Sequence, residues 1–134
     1  MKLCAAQTKA FPGDIDRNIT QHLGCVHAAI EHGAAAILFP ELSISGYEPT
    51  LANALATTVD DARFAPFQDL SRAGNITIAL GAPVQMDVGV GIGLFIYHPD
   101  KAPQVYLKQR LHADEDPFFV PGSGDLPFEV QGKR

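Results

Sequence analysis

An α/β layered domain is the fold class this sequence predicts, and three observations predict it. The chain opens strand–helix–strand, its second half reads as consecutive strands, and its 134 residues at 46% apolar content can build one core but not two.

The elements follow in order. Leu3 to Thr8 reads as a short buried strand. Pro12-Gly13-Asp14 breaks it, and Asp14 or Asp16 can cap the next helix by accepting from the free N–H groups of its first turn. In that helix Ile19, Leu23, Val26 and Ile30 recur at helical spacing and form one narrow apolar stripe. Gly33 ends it, because glycine tolerates positive φ. Ala35 to Phe39 is small and wholly apolar, which predicts a strand buried on both faces. A loop runs from Pro40 to Pro49. Leu51 to Ala56 and Asp61 to Ala73 read as helical, with Phe64, Phe67 and Leu70 facing inward, and Gly74-Asn75 turns the chain. Ile76 to Val84 and Val90 to Tyr97 are predicted strands joined by a hairpin around Asp87-Val88-Gly89. His98-Pro99-Asp100 makes a turn, Val105 to Lys108 a third short strand, and His112 to Gly124 a loop rich in proline, glycine and acid. Phe128 to Gln131 is expected to begin a final strand.

Composition excludes several partners. Net charge is −5 with a pI near 5.4, and the Lys and Arg residues are scattered, so neither a nucleic-acid footprint nor a polybasic membrane patch is present. No apolar run approaches a membrane span, and the stretch from Leu3 to Ala6 is too short for a secretory leader. Cys4 and Cys25 make no disulfide framework at this size, so a cytoplasmic protein is expected. Both cysteines read as structural: Cys4 as a small core residue in a strand, Cys25 as a helix residue away from the apolar stripe. His22, His27 and His32 recur every five residues, which scatters them around a helix, and no metal site is expected. Gly89-Val90-Gly91-Ile92-Gly93 lacks dinucleotide-binding spacing and runs into strand residues.

Two segments carry chemistry. In Phe39-Pro40-Glu41-Leu42-Ser43-Ile44-Ser45-Gly46-Tyr47, an acid directly follows a buried strand, the end at which α/β sheets place ligands. Partial burial there suits Glu41 to proton transfer. In Tyr106-Leu107-Lys108-Gln109-Arg110-Leu111, an amine ends a short strand beside the acids and aromatics of His112 to Gly122. Such an ammonium can stabilise a developing oxyanion while a carboxylate holds it. Taken singly, Glu41 reads as a surface loop acid, Lys108 as a solvated charge, and Asp114-Glu115-Asp116 as a solvated acidic loop.

Together the motifs Phe-Pro-Glu-Leu-x-x-x-Gly-Tyr and Tyr-x-Lys-x-x-Leu…Glu-x-x-Phe-Phe-x-Pro-Gly resemble the nitrilase superfamily of carbon–nitrogen hydrolases. Gly13-Asp14-Ile15-Asp16-Arg17-Asn18 supplies a matching opening. The resemblance covers residues 1–134 but only about the first half of a family domain, and it implies part of an αββα-sandwich. By the resemblance, Glu41 is the general base, Lys108 the oxyanion stabiliser, and Glu115 a supporting carboxylate that orients Lys108 and substrate. Arg110 departs from the histidine common two residues after the lysine. The family's third catalytic group is a cysteine on a later strand–turn. Only 26 residues follow Lys108 (134 − 108) and none is cysteine, so the chain offers no nucleophile and is expected to be inert alone. The resemblance implies hydrolysis of a small carboxamide, nitrile or carbamoyl group without metal or organic cofactor. A partial sandwich is expected to expose apolar surface and strand edges and to form a homo-oligomer or pair with its missing half. A non-catalytic binding or interaction module of the same fold is the alternative reading; an unrelated α/β binder is a third.

Overall fold

The computed structural model describes residues 1–127 and 129–133. Strands β1 (Leu3–Ala5), β2 (Ala36–Leu38), β3 (Thr77–Gln85), β4 (Val90–Tyr97) and β5 (Gln104–Leu107) lie side by side in that order in one sheet. β1, β2 and β3 pair in parallel, and β4 and β5 are added antiparallel. The switch follows from the connections. β1 and β2 are joined through helix α1 (Ile15–Glu31), and β2 and β3 through α2 (Ala52–Leu55) and α3 (Ala65–Gly74). A tight hairpin joins β3 to β4, closed by Met86 N–H donating to the Gly89 carbonyl at 3.1 Å with Gly89 at φ +79°.

Asp14 caps α1: its side chain accepts from Arg17 N–H at 3.1 Å. Gly33, at φ +67°, turns the chain out of the helix toward β2. The inward face of α1 is Ile15, Asn18, Ile19, His22, Val26 and Ala29, while Leu23 and Ile30 are only partly buried. The stripe is thus rotated from the purely apolar one, and it contains two polar residues. Phe64 and Phe67 are fully buried beside Phe95 and Tyr97.

Period-2 alternation sorts the sheet. Ile37, Ile78, Leu80, Phe95 and Tyr97 point into the main core under α1 and α3, with Cys4 packed against it. On the opposite face, Leu42, Ala52, Val90, Ile92 and Phe119 form a second small core that covers one end. Two expectations change here. β1 is an edge strand with Leu3 58% exposed, and Leu38 of β2 is 39% exposed, so neither strand is buried on both faces. The cause is position: β1 is the sheet edge, and on this face the small cluster of Val130 on Ala35 and Ala36 leaves Leu3 and Leu38 exposed. The expected final strand is also corrected. Phe128 lies outside the described residues; among those described, Val130 bridges to Lys133 in a local turn and packs against Ala35 and Ala36. No helix among the described residues is long and apolar enough to cross a membrane.

Candidate active site

Glu41 sits where β2 ends and the chain folds back over the sheet. Phe39 N–H donates to the Ala79 carbonyl at 2.9 Å and Ile44 N–H to the Gly81 carbonyl at 3.0 Å, so the intervening turn lies flat on β3. Gly81 makes this approach possible, since a Cβ there would collide with the Pro40 carbonyl and the Leu42 nitrogen. Gly81→Ala is therefore expected to destabilise the protein by about 1–3 kcal/mol, the usual cost of overpacking, as measured by urea unfolding. Leu42, directly after Glu41, is held at φ +52°, a conformation that strains a branched side chain.

Lys108 arrives from the other side. Its N–H donates to the Ile92 carbonyl at 2.8 Å, and its carbonyl accepts from Gly122 N–H at 2.9 Å, which fixes the backbone at the end of β5. The ammonium lies between two carboxylates: 3.1 Å from Glu41 Oε2 and 2.9 Å from Glu115 Oε1. Glu115 Oε2 accepts from His112 N–H at 2.8 Å. The Tyr47 hydroxyl reaches Glu115 Oε1 at 3.4 Å and Asp114 Oδ2 at 3.3 Å, tying the two loops together. Side-chain exposure falls from Glu41 (43%) through Lys108 (23%) to Glu115 (2%). Glu41 is thus more open than the partial burial expected of it.

Burial pushes the Glu115 carboxyl up, but the Lys108 hydrogen bond and the His112 N–H outweigh it and hold the group below the ordinary carboxylate range. Burial likewise pulls the Lys108 amine down, and its bonds to Glu115 and Glu41 raise it above the usual lysine value. At neutral pH the centre is a cation between two anions. An ammonium so held can donate to an oxyanion, and the exposed carboxylate can take and return a proton. Glu41 and Lys108 border a cavity of about 240 Å³ whose apolar walls are Gly81, Ile92, Gly93, Leu94 and Tyr106. A larger hollow of about 490 Å³ is lined by Asp100, Lys101 and Glu129 among others, but none of these three is in the ion pairs seen among the described residues. Cys4 and Cys25 line a separate hollow, between β1 and α1, and neither lines the Glu41–Lys108 cavity. Among the described residues no group of three or more His, Cys, Asp or Glu could hold a metal.

The sequence singled out Glu41, Lys108 and Glu115, and the structure brings all three together. It also shows contributors that sequence reasoning passed over. Tyr47 had no assigned role, and His22 was placed among scattered histidines, whereas it is fully buried, stacked on Phe39 with ring centroids 4.0 Å apart. The signal was available: Asn18 and His22 share the helical face of Ile15, Ile19, Val26 and Ala29. Burial lowers the His22 pKa to about 4, against an opposing pull from its bond to the Asn18 carbonyl. An unfolded chain, with an ordinary histidine near 6.5, binds this proton first as pH falls, so stability is lost progressively from about pH 6.5 down to about 4. Between pH 7 and 5 the loss from this group is expected to be about 2 kcal/mol by linkage. Urea unfolding at the two pH values, repeated on His22→Gln, measures it; equal slopes in both proteins would rule it out.

The carbon-nitrogen hydrolase family profile matches residues 2–133. The glutamine-dependent NAD(+) synthetase of Acinetobacter baylyi is 27% identical over 143 residues, covering 99% of this chain and 25% of that protein. An amidase from Nesterenkonia sp. superposes with a TM-score of 0.83 at 26% identity, over 100% of this chain and 52% of its own. A CN-hydrolase superfamily protein from Xanthomonas campestris, with an arsenic adduct in its active site, gives a TM-score of 0.86 at 20% identity, over 97% of this chain and 49% of its own. The chain therefore spans about half the length of these solved structures and a quarter of the synthetase. With a profile matched along nearly all of its residues and a sheet that superposes on a solved amidase, the chain belongs to the carbon-nitrogen hydrolase family.

Proposed function

We propose that this chain supplies the acid–amine half of a Glu-Lys-Cys site that hydrolyses a non-peptide C–N bond, with a small carboxamide as substrate. The observation that carries this reading is the Lys108 ammonium held between Glu41 and Glu115 at the rim of a small apolar cavity. A volume of about 240 Å³ suits an amide of a few heavy atoms better than a drug-sized ligand. A glutamate-to-leucine mutant of the Nesterenkonia amidase carries the acetamide moiety of fluoroacetamide on its active-site cysteine, and a cysteine-to-alanine mutant is seen in complex with butyramide.

In the proposed reaction Glu41 takes the proton of a thiol supplied by a second half of the site. The thiolate attacks the amide carbon, and Lys108 donates to the oxygen as it becomes negative. The C–N bond breaks as Glu41 returns the proton to the leaving nitrogen, giving ammonia and a thioester. Glu41 then activates water, and hydrolysis of the thioester releases the acid and the thiol. Glu115 holds the ammonium in place throughout. The second half would cover the exposed Leu3 and Leu38 corner; without it, that surface favours self-association.

The test is to join this chain to the thiol-bearing second half of the Nesterenkonia amidase and assay butyramide. Ammonia release is expected, reduced at least about a hundredfold by Glu41→Gln and by Lys108→Met. Unchanged turnover in a folded variant would remove the role assigned to that residue. Butyramide binding without turnover in the joined protein would instead favour a non-catalytic binding module.

A further inference from the structure

Glu41 is exposed, yet the turn that carries it is anchored from beneath by a buried polar network. Asn18 Nδ2 donates to the Ile44 carbonyl at 2.8 Å and the Phe11 carbonyl at 2.9 Å, and its Oδ1 accepts from Phe11 N–H at 2.7 Å. All the hydrogen-bonding capacity of that amide but one lone pair is spent on backbone. His22 Nδ1 lies 2.7 Å from the Asn18 carbonyl, an acceptor only, so Nδ1 carries the proton. Nε2 is then a lone pair, and the Ser43 hydroxyl 2.9 Å away donates to it. Asn18, His22 and Ser43 are all buried, and the imidazole face stacks on Phe39, the residue that leads into the Glu41 turn.

We propose that His22 is a positioning residue for Glu41: through Ser43 it holds the turn that directs the Glu41 carboxylate at Lys108. Two features of the turn call for such a hold. Leu42 is strained at φ +52°, and relaxing it would rotate the peptide that carries Glu41. Among the described residues the Glu41 side chain is fixed by Lys108 alone, whereas Lys108 is also fixed by Glu115. The turn is thus restrained on the sheet side by Gly81 and on the helix side by Asn18 and His22, with the strained residue between them. That this placement serves catalysis rests on the function proposed above; the geometric claim does not.

The chain itself provides the test, read by NMR at the Glu41 and Glu115 side-chain carboxyl carbons and the Lys108 ammonium. His22→Gln places an amide where Nε2 stood and keeps a partner for Ser43. His22→Asn keeps only the partner of the Asn18 carbonyl, and Ser43→Ala removes the other end of the bond. The Glu41 resonance is expected to stay near its position in His22→Gln and to move to that of a free glutamate in His22→Asn and Ser43→Ala. Glu115 and its bond to Lys108 should be unmoved in all three. If His22→Asn does not fold, Ser43→Ala, which deletes a single oxygen, decides alone. An unmoved Glu41 in Ser43→Ala overturns the proposal, and so does a shift of Glu41 and Glu115 together, which would mark general loosening. Failure of the joined protein to hydrolyse butyramide, with these shifts as expected, would remove the hydrolase reading and leave the positioning intact.

Discussion

Given a small carboxamide on its own, the 134-residue chain is expected to release ammonia no faster than buffer, and Glu41→Gln should change nothing. The expectation follows from how the parts of such a site combine. An ammonium aimed at an oxyanion lowers the barrier only once something has attacked the carbon. Removing a nucleophile from a triad costs on the order of a millionfold, about as much as removing the whole triad, because its members act as a unit. The two thiols present do not fill the role. Cys4 belongs to the edge strand, Cys25 to α1, and both line the hollow on the helix side of the sheet. Glu41 and Lys108 look out on the opposite face, with the sheet between. Continuous ammonia assay on butyramide, with the chain at high concentration, is the measurement. Release above buffer that disappears in Glu41→Gln would mean a nucleophile within this chain, and release that disappears in Cys25→Ser would identify it.

The parts of the molecule legible from sequence are those in which one physical cause dominates. The helix start at Asp14, the hairpin at Gly89 and the apolar strands β3 and β4 each follow from local chemistry, and each is where periodicity and turn residues place it. Glu41 and Lys108 could be singled out because each follows an apolar strand. Their meeting could not be derived from either segment, since it depends on the order in which β2 to β5 pair. Exposure was the least legible property. Ala35 to Phe39 is apolar throughout, but whether Leu38 is covered depends on what lies over the sheet. His22 was missed for a related reason: spacing among histidines was weighed, when the phase of His22 relative to Ile19 and Val26 determines its burial.

Lys108→Met should cost about 3 kcal/mol of stability at pH 7, and it should reverse the sign of one pH dependence. The reason is Glu115, whose side chain is 2% exposed and depends on Lys108 for its counter-charge. Removing one partner of a buried pair leaves the other charged and unpaired, at roughly 3–5 kcal/mol; the His112 N–H that remains on Oε2 favours the lower end. In the wild type the Glu115 carboxyl is held below its unfolded value, so its contribution is present above the unfolded pKa and lost as pH falls through the folded one. Without Lys108 burial dominates and the folded pKa rises above the unfolded value. The penalty is then full at high pH and relieved as pH falls, because the buried carboxyl can take up a proton. The difference in unfolding free energy between wild type and Lys108→Met should therefore narrow from pH 7 to 5, and the His22 contribution, common to both, cancels in it. Glu115→Gln offers one acceptor oxygen where Lys108 and the His112 N–H need two, so it should cost about 1–2 kcal/mol. Combined with Lys108→Met it should cost less than the sum of the two, by about 1–3 kcal/mol, as expected of groups in contact. Additive effects and a pH-independent difference would show that Glu115 is solvated, and the ammonium would then lack the fixed support that its proposed work on an oxyanion requires.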